Sequence, residues 1–87
     1  MILGGGTLSD GKPGVRRGHA TFPVRGDKPV TLDLLARNDD GWIARLTVGE
    51  DRGAVSLINK EWRGDITIEG YPMKVTISPQ WEITFND

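Results

Sequence analysis

Three groups of residues in this 87-residue chain have the side chains from which binding or catalytic sites are built: three tryptophans, a single histidine and two adjacent pairs of carboxylates. The tryptophans are Trp42, Trp62 and Trp81. Indole faces stack on sugar rings and nucleobases, and beside an arginine they anchor protein partners. Trp42 and Trp81 are in register with the apolar faces of alternating segments, which predicts core positions. Trp62 stands among Lys60, Glu61 and Arg63 and fits no alternating apolar face, so core and surface are equally open to it. His19 has no cysteine to join it, and a zinc site would need carboxylates for its remaining ligands, an unusual set. A Ser-His-Asp triad would also need His19, but Ser9, Ser56 and Ser78 sit in ordinary turn or strand contexts. His19 is therefore expected to be a partly exposed strand residue. The carboxylate pairs are Asp39-Asp40 and Glu50-Asp51. A strand between them, at roughly 3.3 Å per residue, holds them about 20 Å apart. Glycoside hydrolysis needs its two carboxylates roughly 5–10 Å apart. Neither pair lies in a calcium-loop pattern, so both read as solvated turn residues.

Two short motifs invite sharper readings. Gly6-Thr7-Leu8-Ser9-Asp10-Gly11-Lys12 has the glycine and lysine spacing of a phosphate-binding loop. The next residue should be a Ser or Thr that holds magnesium, and it is Pro13. Gly14-Val15-Arg16-Arg17-Gly18 then offers no helix to face a phosphate. No nucleotide or other cofactor is expected, and residues 1–18 read as a glycine-rich N-terminal arm or loop, with room for a short strand near Thr7-Leu8, preceding a single domain over residues 19–87. Arg-Gly-Asp occurs twice, at Arg25-Gly26-Asp27 and Arg63-Gly64-Asp65. Both precede an alternating segment, where glycine lets the chain turn and aspartate bonds back to the turning backbone. Turn chemistry is the expectation for both.

Composition narrows the class. The net charge is −1, from 11 Lys+Arg and 12 Asp+Glu, a poor match for general nucleic-acid binding. Met1-Ile2-Leu3 is too short an apolar run for a signal peptide, and no segment approaches the roughly 20 apolar residues of a membrane helix. No membrane association and a cytoplasmic location are expected. Cysteine is absent, so neither a disulfide nor a thiolate–metal site can brace the fold.

The elements that must position these residues follow from period-two patterning. Val30, Leu32, Leu34 and Ala36 alternate with Thr31, Asp33 and Leu35. Trp42, Ala44, Leu46 and Val48 do the same, as do Ile66 and Ile68, then Met73, Val75 and Ile77, then Trp81, Ile83 and Phe85. Half-buried strands have this signature. Residues 54–58 are expected to add a strand. Residues 19–24 add another, placed at an edge because Pro23 cannot donate to a ladder. Asn59 to Trp62 can make one helical turn. The connections are short and rich in Gly, Pro, Asn and Asp, and with 12 glycines and five prolines the chain suits an all-β fold. The expected architecture is a small antiparallel barrel or compact sandwich of six to seven short strands. If they run up and down in order, alternate connections share an end, and all three tryptophans fall at one of them.

RGDITIEGYPMKVTIS, residues 63–78, resembles the closing hairpin of the small β-barrel head–tail joining proteins of tailed phages. The resemblance covers 16 of the 87 residues. It implies an assembly role and a viral or mobile-element origin, where an anti-defence protein is the other small stand-alone product to expect. No catalytic or metal constellation stands up to its own geometry. The sequence therefore predicts a non-enzymatic protein-binding module: a small adaptor, inhibitor or assembly component. Its partner is another protein or a second copy of this chain. The expected contacts are Asp39, Asp40, Lys60, Trp62, Arg63 and Gln80, gathered at the tryptophan end. The alternative is a carbohydrate- or small-ligand-binding domain that uses Trp42, Trp62 and Trp81 as a stacking platform.

Overall fold

The computed structural model describes residues 1–10, 13–39 and 41–87. They form eight strands: β1 (Ile2–Asp10), β2 (Val15–Phe22), β3 (Gly26–Asn38), β4 (Gly41–Val48), β5 (Asp51–Ile58), β6 (Glu61–Ile68), β7 (Tyr71–Ile77) and β8 (Glu82–Asn86). Each pairs antiparallel with the next, and β8 returns to β1, which closes the barrel. The all-β expectation holds, with eight strands in place of six to seven. Closure also corrects the placement of residues 19–24. β2 is paired on both sides, by β1 and β3, and stops at Phe22, so Pro23 falls in the turn and no edge is needed.

The strand that departs most from the sequence reading is β1, which fills residues 2–10 where a loop or arm with at most a short strand near Thr7-Leu8 is expected. Residues 2–10 are an integral wall of the barrel, and the described part of residues 1–18 belongs to the same fold as the rest. Its inward positions are Gly4, Gly6 and Leu8, so a search for apolar alternation sees one residue where three face the core. The glycines are there because β1 and β2 approach too closely at their seam to leave room for a side chain. A Cβ on Gly6 would collide with the carbonyl oxygen of His19, and one on Gly18 with that of Thr7. The seam between β5 and β6, four strands away in either direction, is equally tight at Gly64, where a Cβ would strike the Ala54 carbonyl. Glycine at such corners lets a small sheet coil closed.

The interior is filled by side chains, as an eight-stranded barrel allows. Phe22, Leu46, Ile68, Ile77, Ile83 and Phe85 are fully buried at its centre. The Phe22 and Phe85 rings meet at 4.9 Å between centroids, tilted by 52°. No polar or charged side chain is buried among the described residues. Charges point outward and pair across the wall: Asp33 opposite Arg45, and Asp65 opposite Lys74. An apolar lumen inside a charged wall is the reverse of the lipid-facing arrangement of a transmembrane barrel. Among the described residues, no helix is long and apolar enough to cross a membrane.

Candidate functional site

The meander sends alternate connections to opposite ends. One end carries the β1–β2, β3–β4, β5–β6 and β7–β8 connections, and the other carries the remaining three with Met1 and Asp87. Asp39, Lys60 and Gln80 lie in exposed turns of the first end, and the exposed Arg63 lies on the outer wall near the start of β6. Asp40 lies outside the described residues, as do Gly11 and Lys12 of the phosphate-loop-like motif. The three tryptophans do fall at this end, but the structure gives each a different environment.

Trp62 is a core residue, 7% exposed. It sits on β6 in the inward phase with Gly64, Ile66 and Ile68. This removes it from the set of partner contacts and from the stacking platform. The sequence hid its phase because the next inward residue is Gly64, which breaks the apolar alternation without breaking the strand. Lys60 and Glu61 do not turn a helix either. Asn59 and Lys60 have positive φ, 51° and 68°, and make a tight two-residue β-turn between β5 and β6. Lysine is strained there, and Lys60→Gly should raise stability by up to about 1 kcal/mol. Thermal melts check this. The same variant reports whether the Lys60 ammonium is a contact, since binding would then fall as stability rises.

Trp81 precedes β8 and has a left-handed backbone, φ 65°, rarely tolerated by a bulky residue. Its surroundings hold it in place. Its N–H donates to the Ser78 carbonyl at 2.9 Å, and its own carbonyl accepts from Leu8 at 2.8 Å. The Ser78 hydroxyl accepts from the N–H of Glu82 at 3.1 Å. The indole packs partly against the core, as expected, and the Arg16 guanidinium lies 3.7 Å from its ring centroid. A ring stacked in this way cannot offer that face to a sugar.

Trp42 departs from the core expectation in the opposite sense. It has the inward phase of β4 but lies one residue beyond the last β4–β5 pair, Ile43 with Ser56, at the barrel mouth. It is 38% exposed, with the Arg37 guanidinium 5.8 Å from its ring centroid. Of the proposed platform, only Trp42 presents substantial indole surface, so three rings do not line up for a ligand.

The residues missed by the sequence reading are apolar. Leu34, Leu35 and Ile58 are exposed at the same end as Trp42. A signal for them existed. Leu34 and Leu35 are adjacent and cannot both face inward on a regular strand. A β-bulge between Leu34 and Ala36 resolves the conflict by displacing Leu35 from the ladder.

The opposite end carries a cluster of ion pairs and also the exposed Met1, Ile2, Val24 and Tyr71. Glu69, in a left-handed turn position at φ 50°, receives Arg25 at 3.5 Å and Lys28 at 3.3 Å. Its N–H donates to Asp51 at 3.0 Å. Arg25 also lies over Tyr71, 5.1 Å from the ring centroid. The first Arg-Gly-Asp is thus a turn, as expected, with Gly26 at φ 81°. Its Asp27 holds the His19 Nδ1 at 3.0 Å and accepts from the Thr21 hydroxyl at 3.3 Å. His19 is an exposed strand residue, in keeping with the sequence reading. The second Arg-Gly-Asp corrects the expectation. It lies inside β6, with Gly64 paired between Val55 and Val75, and Arg63 is ion-paired to Glu61 at 2.6 Å. Gly64 is there for close approach of strands and not for a turn. The Glu50-Asp51 pair is at this charged end and Asp39 is at the other, so the acidic pairs do not meet. Among the described residues, no group of three or more His, Cys, Asp or Glu is placed to hold a metal ion.

Fold and site together describe a closed, eight-stranded meander barrel with a packed lumen and exposed apolar residues at both ends, those of the tryptophan end including Trp42. No protein family, curated protein or solved structure matches the chain.

Proposed function

We propose that this chain is a non-enzymatic protein-binding module, an adaptor, inhibitor or assembly component, that docks through the tryptophan end of its barrel. The observation that carries the reading is the exposure of Leu34, Leu35, Trp42 and Ile58 at one end of a molecule whose lumen is already filled. A packed lumen leaves recognition to the surface. Exposed apolar residues at the same end as the polar Asp39, Lys60 and Gln80 have the composition of a binding interface. Trp42 is the anchor of this site in place of Trp62, since it is the most exposed of the three tryptophans and has Arg37 beside it.

The test is Trp42→Ala, with partners captured by photo-crosslinking from position 58 and identified by mass spectrometry. Affinity for the captured partner should fall by about 2 kcal/mol or more, with little change in the melting temperature. Unchanged affinity in a folded Trp42→Ala variant rejects this end as the docking surface.

A further inference from the structure

At the end opposite the tryptophans, three hairpins meet at one residue. They are β2–β3, β4–β5 and β6–β7, and Glu69, in the turn of the last, reaches both of the others. Its carboxylate takes Arg25 and Lys28 from the β2–β3 hairpin, and its N–H donates to the Asp51 carboxylate at the start of β5. The Gly49 N–H adds a link of its own between the β4–β5 and β2–β3 hairpins, donating to the Pro29 carbonyl at 2.9 Å. The Arg25 and Lys28 side chains are mostly covered, 23% and 17% exposed, so salt screens them less than it would two free surface chains. Glu69 also holds its place against its own backbone. It precedes Gly70 in a two-residue turn where both have positive φ, a setting that favours Asn or Gly and strains glutamate. A strained residue of this kind directs attention to what its side chain does.

No ladder joins the β6–β7 hairpin to the β2–β3 hairpin. β6 and β7 pair outward with β5 and β8, and β2 and β3 with β1 and β4. The contacts of Glu69 with Arg25 and Lys28 therefore cross the end of the barrel instead of running along its wall. The lumen at this end is lined by Phe22, Val48 and Ile68, the last inward residues of β2, β4 and β6 before their turns, and all three are fully buried. We infer that Glu69 is an ionic strap. It holds the hairpin tips folded over this end of the lumen, and screening of its charge lets the tips open while the wall stays paired. The opening is local because every strand is bonded on both sides farther along the barrel. The strap lies at the end opposite the proposed docking surface and does not depend on the protein-binding reading.

The test is amide hydrogen exchange by NMR on the full chain and on Glu69→Gly, at about 0.01 M and about 1 M sodium chloride, between which the Debye length falls from about 30 Å to about 3 Å. Glycine relieves the turn and removes the carboxylate, so the two possible roles of residue 69 predict opposite signs. The Gly49 amide is the reporter, because it lies in a different hairpin. A residue that merely fills a turn would leave its exchange unchanged or slower, in line with the relief expected of Lys60→Gly. A strap makes it about threefold or more faster at low salt. High salt should bring the unsubstituted chain to the rate of the variant. The amides of Leu46 and Val75, paired on both sides in mid-wall, should keep their rates. Glu69→Gln retains the size and the strained turn and loses only the charge. It should show the same acceleration at low salt, and it decides the matter if the glycine variant does not fold. Unchanged or slower exchange at Gly49 in these variants overturns the inference. So does a rate that is indifferent to salt in the unsubstituted chain, or an equal acceleration at Leu46 and Val75, which would make the opening global.

Discussion

Truncating Trp62 to alanine should destabilise the protein by about 3–5 kcal/mol, the range for a large aromatic removed from a packed core. The indole is 7% exposed and clusters with Leu8, Val55, Val75 and Ile77 near one end of the lumen. Its loss opens a cavity that the closed wall cannot collapse to fill, because every strand is held by neighbours on both sides. A domain of this size has a total stability of roughly 4–13 kcal/mol, so the variant should lose a large share of it. At about 4–8 °C per kcal/mol, the melting temperature should drop by tens of degrees. Trp42→Ala is the matched control and should move it by only a few degrees. Chemical denaturation of the two variants side by side decides the point. A loss below about 1 kcal/mol for Trp62→Ala would contradict a core position.

The Gly64→Ala substitution adds one methyl group and should be of similar severity. The new Cβ would strike the Ala54 carbonyl oxygen and crowd Val55 Cα and Cγ1, each at 3.0 Å. Two of these three atoms are backbone, so relief requires β5 and β6 to separate at the seam where the barrel bends. Overpacking of this kind typically costs about 1–3 kcal/mol, and the rigid backbone contact places Gly64→Ala at or above the upper figure. Equilibrium unfolding measures this directly, and amide exchange should show faster opening at the Val55 and Gly64 amides than elsewhere. Gly70→Ala is the comparison. Unlike Gly64 it has a positive φ, 84°, and open space around it, so it should show the turn penalty of roughly 1 kcal/mol alone. Equal losses in the two variants would mean that the seam is not tight. The result also bears on the second Arg-Gly-Asp, whose glycine is retained by strand packing whatever the surface of Arg63 does.

Several elements were legible because their physics is local. Strands β3, β4, β7 and β8 announce themselves by alternation, and the turns by Gly, Pro and Asn. Up-and-down order then placed the tryptophans at one end by parity alone. Three things were hidden. The full length of β1 was hidden because its inward side is glycine at two of three positions, a choice that makes sense only once β2 presses against it. The inward phase of Trp62 was hidden for the same reason, through Gly64. The exposure of Trp42 was hidden because it depends on where β5 stops pairing with β4, a property of the partner strand.

The sequence by itself determined an all-β chain with its connections sorted to two ends, because period and turn chemistry are properties of consecutive residues. Closure, and with it the fate of each tryptophan, was decided only in three dimensions. Bringing β8 onto β1 sets how sharply the wall must bend and which positions can carry no side chain. It also sets how far each hairpin reaches beyond its neighbours. That reach leaves Trp42 and Leu35 at the rim of the barrel, while Trp62, equally close to a turn in sequence, is sealed inside it.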